Sequence, residues 1–232
     1  VRSMVWDQNA SSIHHRTETT LDGFNNANPD WLGDSKIIVR YLAKNDGMGE
    51  GLRVILGGGL SVPSKSVLTS DPFFLNGEEK TDHRHFSLST GSYKYIIESQ
   101  LFIKRPANPV FYGGFVIYEH PVSENEHNYL PPPLLNISLS ATFKRFDKWD
   151  SSVGYGAGIL QSGNGYWNGI REPNSKSLSI APTISYLVNS SGGAFAFNIS
   201  KPFFFEGSFS SNEGDIGQGS NIWQFTVSFR KI

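Results

Sequence analysis

A chain of 232 residues with net charge −1, no cysteine, 38% hydrophobic and 13% aromatic residues excludes several classes of protein. Balanced charge leaves no general field to draw nucleic acid, and the lack of cysteine removes disulfide frameworks and thiolate chemistry. No run approaches the roughly 20 apolar residues of a membrane helix, but a β-barrel escapes that test, because lumen-facing residues dilute every strand.

The chain opens without the charged and apolar regions of a signal peptide. Residues 1–6 read as the tail of a clipped first strand and 7–34 as a long outer loop. A weak strand follows at 35–43. In 52–62, Leu52, Val54, Leu56, Leu60 and Val62 share a face against Arg53 and Ser61. In 92–104, Tyr93, Tyr95, Ile97, Leu101 and Ile103 oppose Lys94, Glu98, Gln100 and Lys104. Segment 109–119 is a weaker candidate. In 134–146, Leu135, Ile137, Leu139, Ala141 and Phe143 alternate with Asn136, Ser138, Ser140, Thr142 and Lys144. Segments 152–161, 176–187 and 193–204 are again weaker. Pro182 inside 176–187 deletes a ladder hydrogen bond, so a bulge or a later strand start is expected there. The last candidate, 222–231, sets Trp223, Phe225, Val227 and Phe229 against Gln224, Thr226, Ser228 and Arg230. Period 2 means a strand with one apolar and one polar face. Runs of about 10 residues suit a tilted strand crossing the hydrocarbon layer.

The links between these candidates are 44–51, 63–91, 105–108, 120–133, 147–151, 162–175, 188–192 and 205–221, so short and long alternate. Outer-membrane barrels sort short periplasmic turns and long extracellular loops to opposite ends. The reading is one all-β domain over 1–232, an antiparallel transmembrane β-barrel of about ten strands in the bacterial outer membrane. Its surroundings would be outer-membrane lipid and lipopolysaccharide. Loops 7–34 and 63–91 could also meet other envelope proteins, since loops of that length are usually functional or disordered.

Candidate chemistry is sparse. His83 and His85 could present two imidazoles on one strand face, but both fall in the long link 63–91, where polar loop histidines are ordinary. His14, His15, His120 and His127 form no ligand spacing. The acids Asp22, Asp30, Asp34, Glu213 and Asp215 lack EF-hand spacing. No metal or other cofactor is expected, and no catalytic residue is assigned.

If the greasy faces point outward, the lumen-lining candidates are Lys36, Arg40, Arg53, Lys94, Glu98, Gln100, Lys104, Lys144 and Arg230, with Glu119 a further acid. Two outcomes stay open: bases outnumber acids and favour anions in a pore, or Glu98 and Glu119 pair with the bases and fill a narrow barrel. Tyr41, Tyr155, Tyr186 and Trp223 are candidates for the aromatic girdles at the headgroup boundary.

Segment 32–62 carries Leu32-Gly33-Asp34, Ile37–Tyr41, Val54–Leu60 and Val62-Pro63-Ser64, and the C-terminal third carries Leu178–Pro182, Tyr186 and Ser200-Lys201-Pro202. This pattern resembles the bacterial meta-pathway phenol-degradation family of outer-membrane β-barrel transporters. Lys65 stands where that family's turn has glycine, and the missing leading strand leaves ten strands against twelve. The resemblance implies a barrel that takes up small hydrophobic or aromatic compounds. Passive transport of small solutes is therefore the expected function, with a structural subunit of a larger envelope complex as the alternative.

Overall fold

The computed structural model describes residues 32–47, 49–71, 87–146, 150–173, 175–190, 192–207 and 222–231. The strands expected at 1–6 and most of loops 7–34 and 63–91 lie outside these residues. Thirteen strands form, and the described residues contain no helix. They are β1 (Ser35–Asn45), β2 (Gly51–Val62), β3 (Lys94–Lys104), β4 (Phe111–Pro121), β5 (Tyr129–Leu130), β6 (Leu134–Thr142) and β7 (Ser151–Ser162). After these come β8 (Tyr166–Trp167), β9 (Ile170–Arg171), β10 (Ser177–Ser190), β11 (Gly193–Ser200), β12 (Phe203–Glu206) and β13 (Gln224–Arg230).

Ten of them make one antiparallel meander, ordered β1-β2-β3-β4-β6-β7-β10-β11-β13, with β12 also paired to β10. Every long strand pairs with its nearest long neighbours in the chain, as hairpin connections permit. The expected strands 35–43, 52–62, 92–104, 109–119, 134–146, 152–161, 176–187, 193–204 and 222–231 each contain most of a long strand of this sheet. Among the described residues no pairing joins β13 back to β1, so the sheet is open between them.

Alternation has a physical outcome that is clearest in β3. Lys94, Ile96 and Glu98 are buried, whereas Tyr95, Ile97, Leu101 and Ile103 are exposed. Cross-strand register carries the exposed set across the sheet. One row runs Tyr41, Leu56, Ser99, Val116, Ile137, Ile159, Ile180 and Phe203. Another runs Leu52, Ile103, Tyr112, Ala141, Tyr155, Ile184, Ile199 and Phe225. The opposite face carries the charges. Among the described residues the buried hydrophobic side chains are only Val67, Ile96, Ala141 and Trp167. This is a sheet with its greasy face outward.

Pro182 does not bulge β10 or delay its start. The strand runs through it, and Pro182 stays in register opposite Ala157 of β7. Its carbonyl accepts from Lys201 N–H at 3.2 Å, so its missing N–H points to the side where β11 ends and β12 begins. The register runs on from β11 into β12 across Lys201-Pro202 and shifts only between Leu178 and Ser179, opposite Glu206 and Phe204.

The long connections add a second, three-stranded sheet, β5-β8-β9. Asn168 and Gly169 both take positive φ, 49° and 76°, which closes β8 onto β9 in a two-residue turn. Asn125 ties the neighbouring links together: its Oδ1 accepts from Tyr129 N–H at 3.0 Å and its Nδ2 donates to Thr90 O at 3.0 Å.

Candidate functional site

The charged face is built by register. Arg40, Gly57 and Glu98 lie opposite one another on β1, β2 and β3. Arg40 Nε donates to both oxygens of Glu98, at 3.1 and 3.0 Å, and its Nη2 lies 2.9 Å from Oε2. The ion pair crosses β2 over Gly57, where an added Cβ would stand 3.1 Å from Glu98 Cβ and 3.2 Å from its Oε2. Glycine here gives a salt bridge room to span an intervening strand. Gln100 Nε2 donates to Glu98 as well, and Lys36 pairs with Glu119. Lys94 Nζ lies 4.0 Å from Asp34 Oδ2, and Asp34 Oδ1 accepts from Ser64 N–H at 3.3 Å.

Lys36, Arg40, Lys94, Glu98, Gln100 and Glu119 are thus brought together, from the long-connection end to the middle of the strands. Glu119 brings Phe111 and Phe115 with it, because all three share parity on β4 and lie on this face opposite Ile96, Lys104 and Gln100. Arg53 sits at the short-connection end, bonded to Asn45 Oδ1 at 3.1 Å. Lys104 and Arg230 are exposed at the ends of β3 and β13. Lys144 falls beyond β6, which ends at Thr142 rather than 146; its N–H donates to Asn108 Oδ1 at 2.7 Å in the adjacent short turn. The count of bases over acids overstates the positive field, because both buried or half-buried glutamates hold a base and Lys94 faces Asp34.

The other half of the same face is different. Across β6, β7, β10, β11 and β13 the row continues Ser140, Gly156, Thr183, Ser200 and Gln224. The next row is Thr142, Gly154, Ser185, Asn198 and Thr226. Small side chains leave a cleft of about 440 Å³.

On the apolar face several tyrosines lie toward the strand ends, while Phe195, Phe197, Phe225 and Phe229 spread along β11 and β13. Tyr41, Tyr155 and Tyr186, with Tyr112, lie toward the short-connection ends of their strands. Tyr95, Tyr118 and His120 cluster at the long-connection end, with Tyr95 stacked on His120 at 5.2 Å. Trp223 lies just before β13 with Lys201 Nζ 5.2 Å over its ring. Tyr41, Tyr155, Tyr186 and Trp223 are all exposed.

The long connections fold over one end of the charged face. Ser61, Ser92, Lys94, Ile96 and Glu98 are buried there, while Lys104, at the far end of β3, is exposed. Above them Tyr129 stacks on the buried Trp167, rings 4.5 Å apart, and its hydroxyl donates to Glu172 at 3.1 Å. Burial, with the nearby Asp71 charge, raises the Glu172 carboxyl above its ordinary range against the opposing effect of the Tyr129 hydrogen bond. Burial and the Glu172 charge push the Tyr129 phenol up. Sequence reading missed this layer, although Trp167-Asn168-Gly169-Ile170 carries a strong short-range hairpin signal.

Among the described residues no group of three His, Asp or Glu could hold a metal ion. His120 Nδ1 lies 2.7 Å from Pro121 O, and His127 lies beside Glu126 at 3.4 Å. His14, His15, His83 and His85 are outside the described residues. No protein-family model matches the chain, and no curated protein matches it.

Proposed function

We propose that the sheet closes into a transmembrane β-barrel of a bacterial outer membrane that passes small solutes through its lumen. One observation carries this reading: the large apolar side chains are exposed along strand after strand, while on the opposite face Lys94 and Glu98 are buried. Val39 is 75% exposed, Phe225 72%, Ile37 66% and Ile184 64%, whereas Glu98 is 2% and Lys94 6% exposed. In water such a surface would associate or aggregate. In lipid the same surface is the stable one, and closing β13 onto β1 removes the bare edges that a bilayer does not tolerate. Tyrosines toward the two strand ends suit the two interfaces. The short connections then lie on the periplasmic side and the long ones outside.

Uptake of hydrophobic or aromatic compounds rests on the resemblance of segments 32–62 and 178–202 to the phenol-degradation transporters. A second reading, an accessory barrel docking to other envelope proteins, is favoured by the ordered β5-β8-β9 layer, which is more structure than a passive rim requires. Single-channel recording in planar bilayers separates the two. Discrete conductance steps support transport; a folded, inserted protein without conductance supports the accessory role.

A further inference from the structure

The cleft between β6 and β13 has a lining with neither acidic nor basic side chains. At about 440 Å³ it falls within the range of small-molecule sites, roughly 300–1,000 Å³. Two carboxamides mark it. Ser185 Oγ donates to Asn198 Oδ1 at 2.7 Å, and Ser200 Oγ donates to Gln224 Oε1 at 3.2 Å. The serines hold both carbonyl ends, so the two –NH2 ends remain as donors on neighbouring strands. Ser138 and Thr142 contribute hydroxyls that can donate or accept. Ala181, Leu187 and Ala196 add apolar surface to the lining. Gly158 keeps one wall recessed: a Cβ there would meet nothing within 4 Å.

We infer that this cleft binds a neutral polyhydroxylated solute of the sugar class. Such a solute offers oxygen acceptors to the two –NH2 groups, hydroxyls to the serines and threonines, and C–H faces to Ala181, Leu187 and Ala196. An anion or cation finds no counter-charge in this lining. The inference rests on the transport reading for its role but takes its solute class from the cleft's lining, in place of the hydrophobic class that the resemblance implies; binding can be measured without a pore.

The test uses the full chain folded in detergent micelles, titrated with maltose, with phenol and with sodium benzoate, and followed by saturation-transfer NMR. Saturable maltose binding is expected, weakened about fivefold to thirtyfold in Asn198→Leu/Gln224→Leu, since two hydrogen bonds of about 0.5–1 kcal/mol each are lost. Gly158→Leu, whose Cβ has open space around it, should fill the recess and abolish binding, with an unchanged far-UV circular dichroism spectrum showing that the fold persists. Absence of saturable maltose binding overturns the inference, as do tighter binding of phenol or benzoate and maltose binding that both variants leave unchanged. Conductance is recorded separately. Channels without maltose binding leave the transport reading standing and remove the sugar site; maltose binding without channels does the reverse.

Discussion

The two halves of the charged face are made by the same sheet in the same register, yet they do opposite things. One cross-strand row begins Arg53, Phe102, Gly113 and ends Ser140, Gly156, Thr183, Ser200, Gln224. Over β1–β4, long charged and aromatic side chains interlock: Arg40 with Glu98, Lys36 with Glu119, and Phe102 stacked on Phe111 at 5.9 Å. Over β6–β13, glycine, alanine, serine and threonine leave open volume. Alternation decides which side chains share a face; side-chain size and charge pairing decide whether that face is filled or hollow.

The filled half should be the more sensitive to single changes. Arg40→Met leaves the Glu98 carboxylate, 1% exposed, without its base, and should cost about 3–5 kcal/mol in urea titrations of the refolded protein. Arg40→Lys keeps the charge but loses the two-pronged geometry, so it should restore only part of that loss. A cost below about 1 kcal/mol for Arg40→Met would mean that the pair does not hold the wall together.

The contrast between the two faces of one strand comes next. Leu139, exposed on the apolar face of β6, becomes costly as arginine, by ~2–4 kcal/mol if it lies near the bilayer midplane. Ser138→Arg points into the cleft and should cost much less. Equal costs would reject the facing of β6.

A smaller effect is expected in the loop layer. Because the Glu172 carboxyl is raised, the folded protein holds that proton more firmly than the unfolded chain. The layer should be most stable at pH values below the ordinary carboxylate range, and stability should fall as pH rises through the raised value. Amide hydrogen exchange of Tyr129–Leu130 and Tyr166–Trp167 should therefore quicken between acidic and neutral pH, and Glu172→Gln should flatten the response. Slower exchange at neutral pH would reverse the sign of this account.

Ion selectivity should change least. If the barrel conducts, then because three of the charged-face bases face acids, reversal potentials in a salt gradient should stay near zero, and Arg40→Gln should uncover Glu98 and tilt the current toward cations. A strong anion preference in the unaltered protein would show that the pairs do not neutralise the lumen.

Most of the sheet is legible in the sequence because period 2 is a local property. Ile97 against Glu98, or Leu139 against Ser138, needs no knowledge of partners. Strand ends are less legible: Phe143 still donates to Val153 O of β7, and the ladder is left at Lys144, whose N–H goes to the Asn108 side chain in the adjacent short turn. Pairing within the site is not legible at all. Arg40 and Glu98 are 58 residues apart, and Lys36 and Glu119 are 83 apart. Only the register of four strands shows that Gly57 lies between one pair and that parity carries Phe111 and Phe115 to the same side as Glu119. The cleft is hidden for the opposite reason: serine and glycine at scattered positions look like weak strand residues until five strands set them side by side.

The central claim is that the exposed apolar face meets lipid. The chain has no cysteine, so single cysteines carrying nitroxide labels can be placed without background along β6, Leu134–Thr142. In vesicles, labels at Leu135, Ile137 and Leu139 should be open to oxygen and shielded from a water-soluble nickel complex, while labels at Asn136, Ser138 and Ser140 should show the reverse. A two-residue alternation in accessibility is the predicted result; uniform access to the nickel complex along the strand, or a protein that stays dispersed in water without detergent, would contradict it.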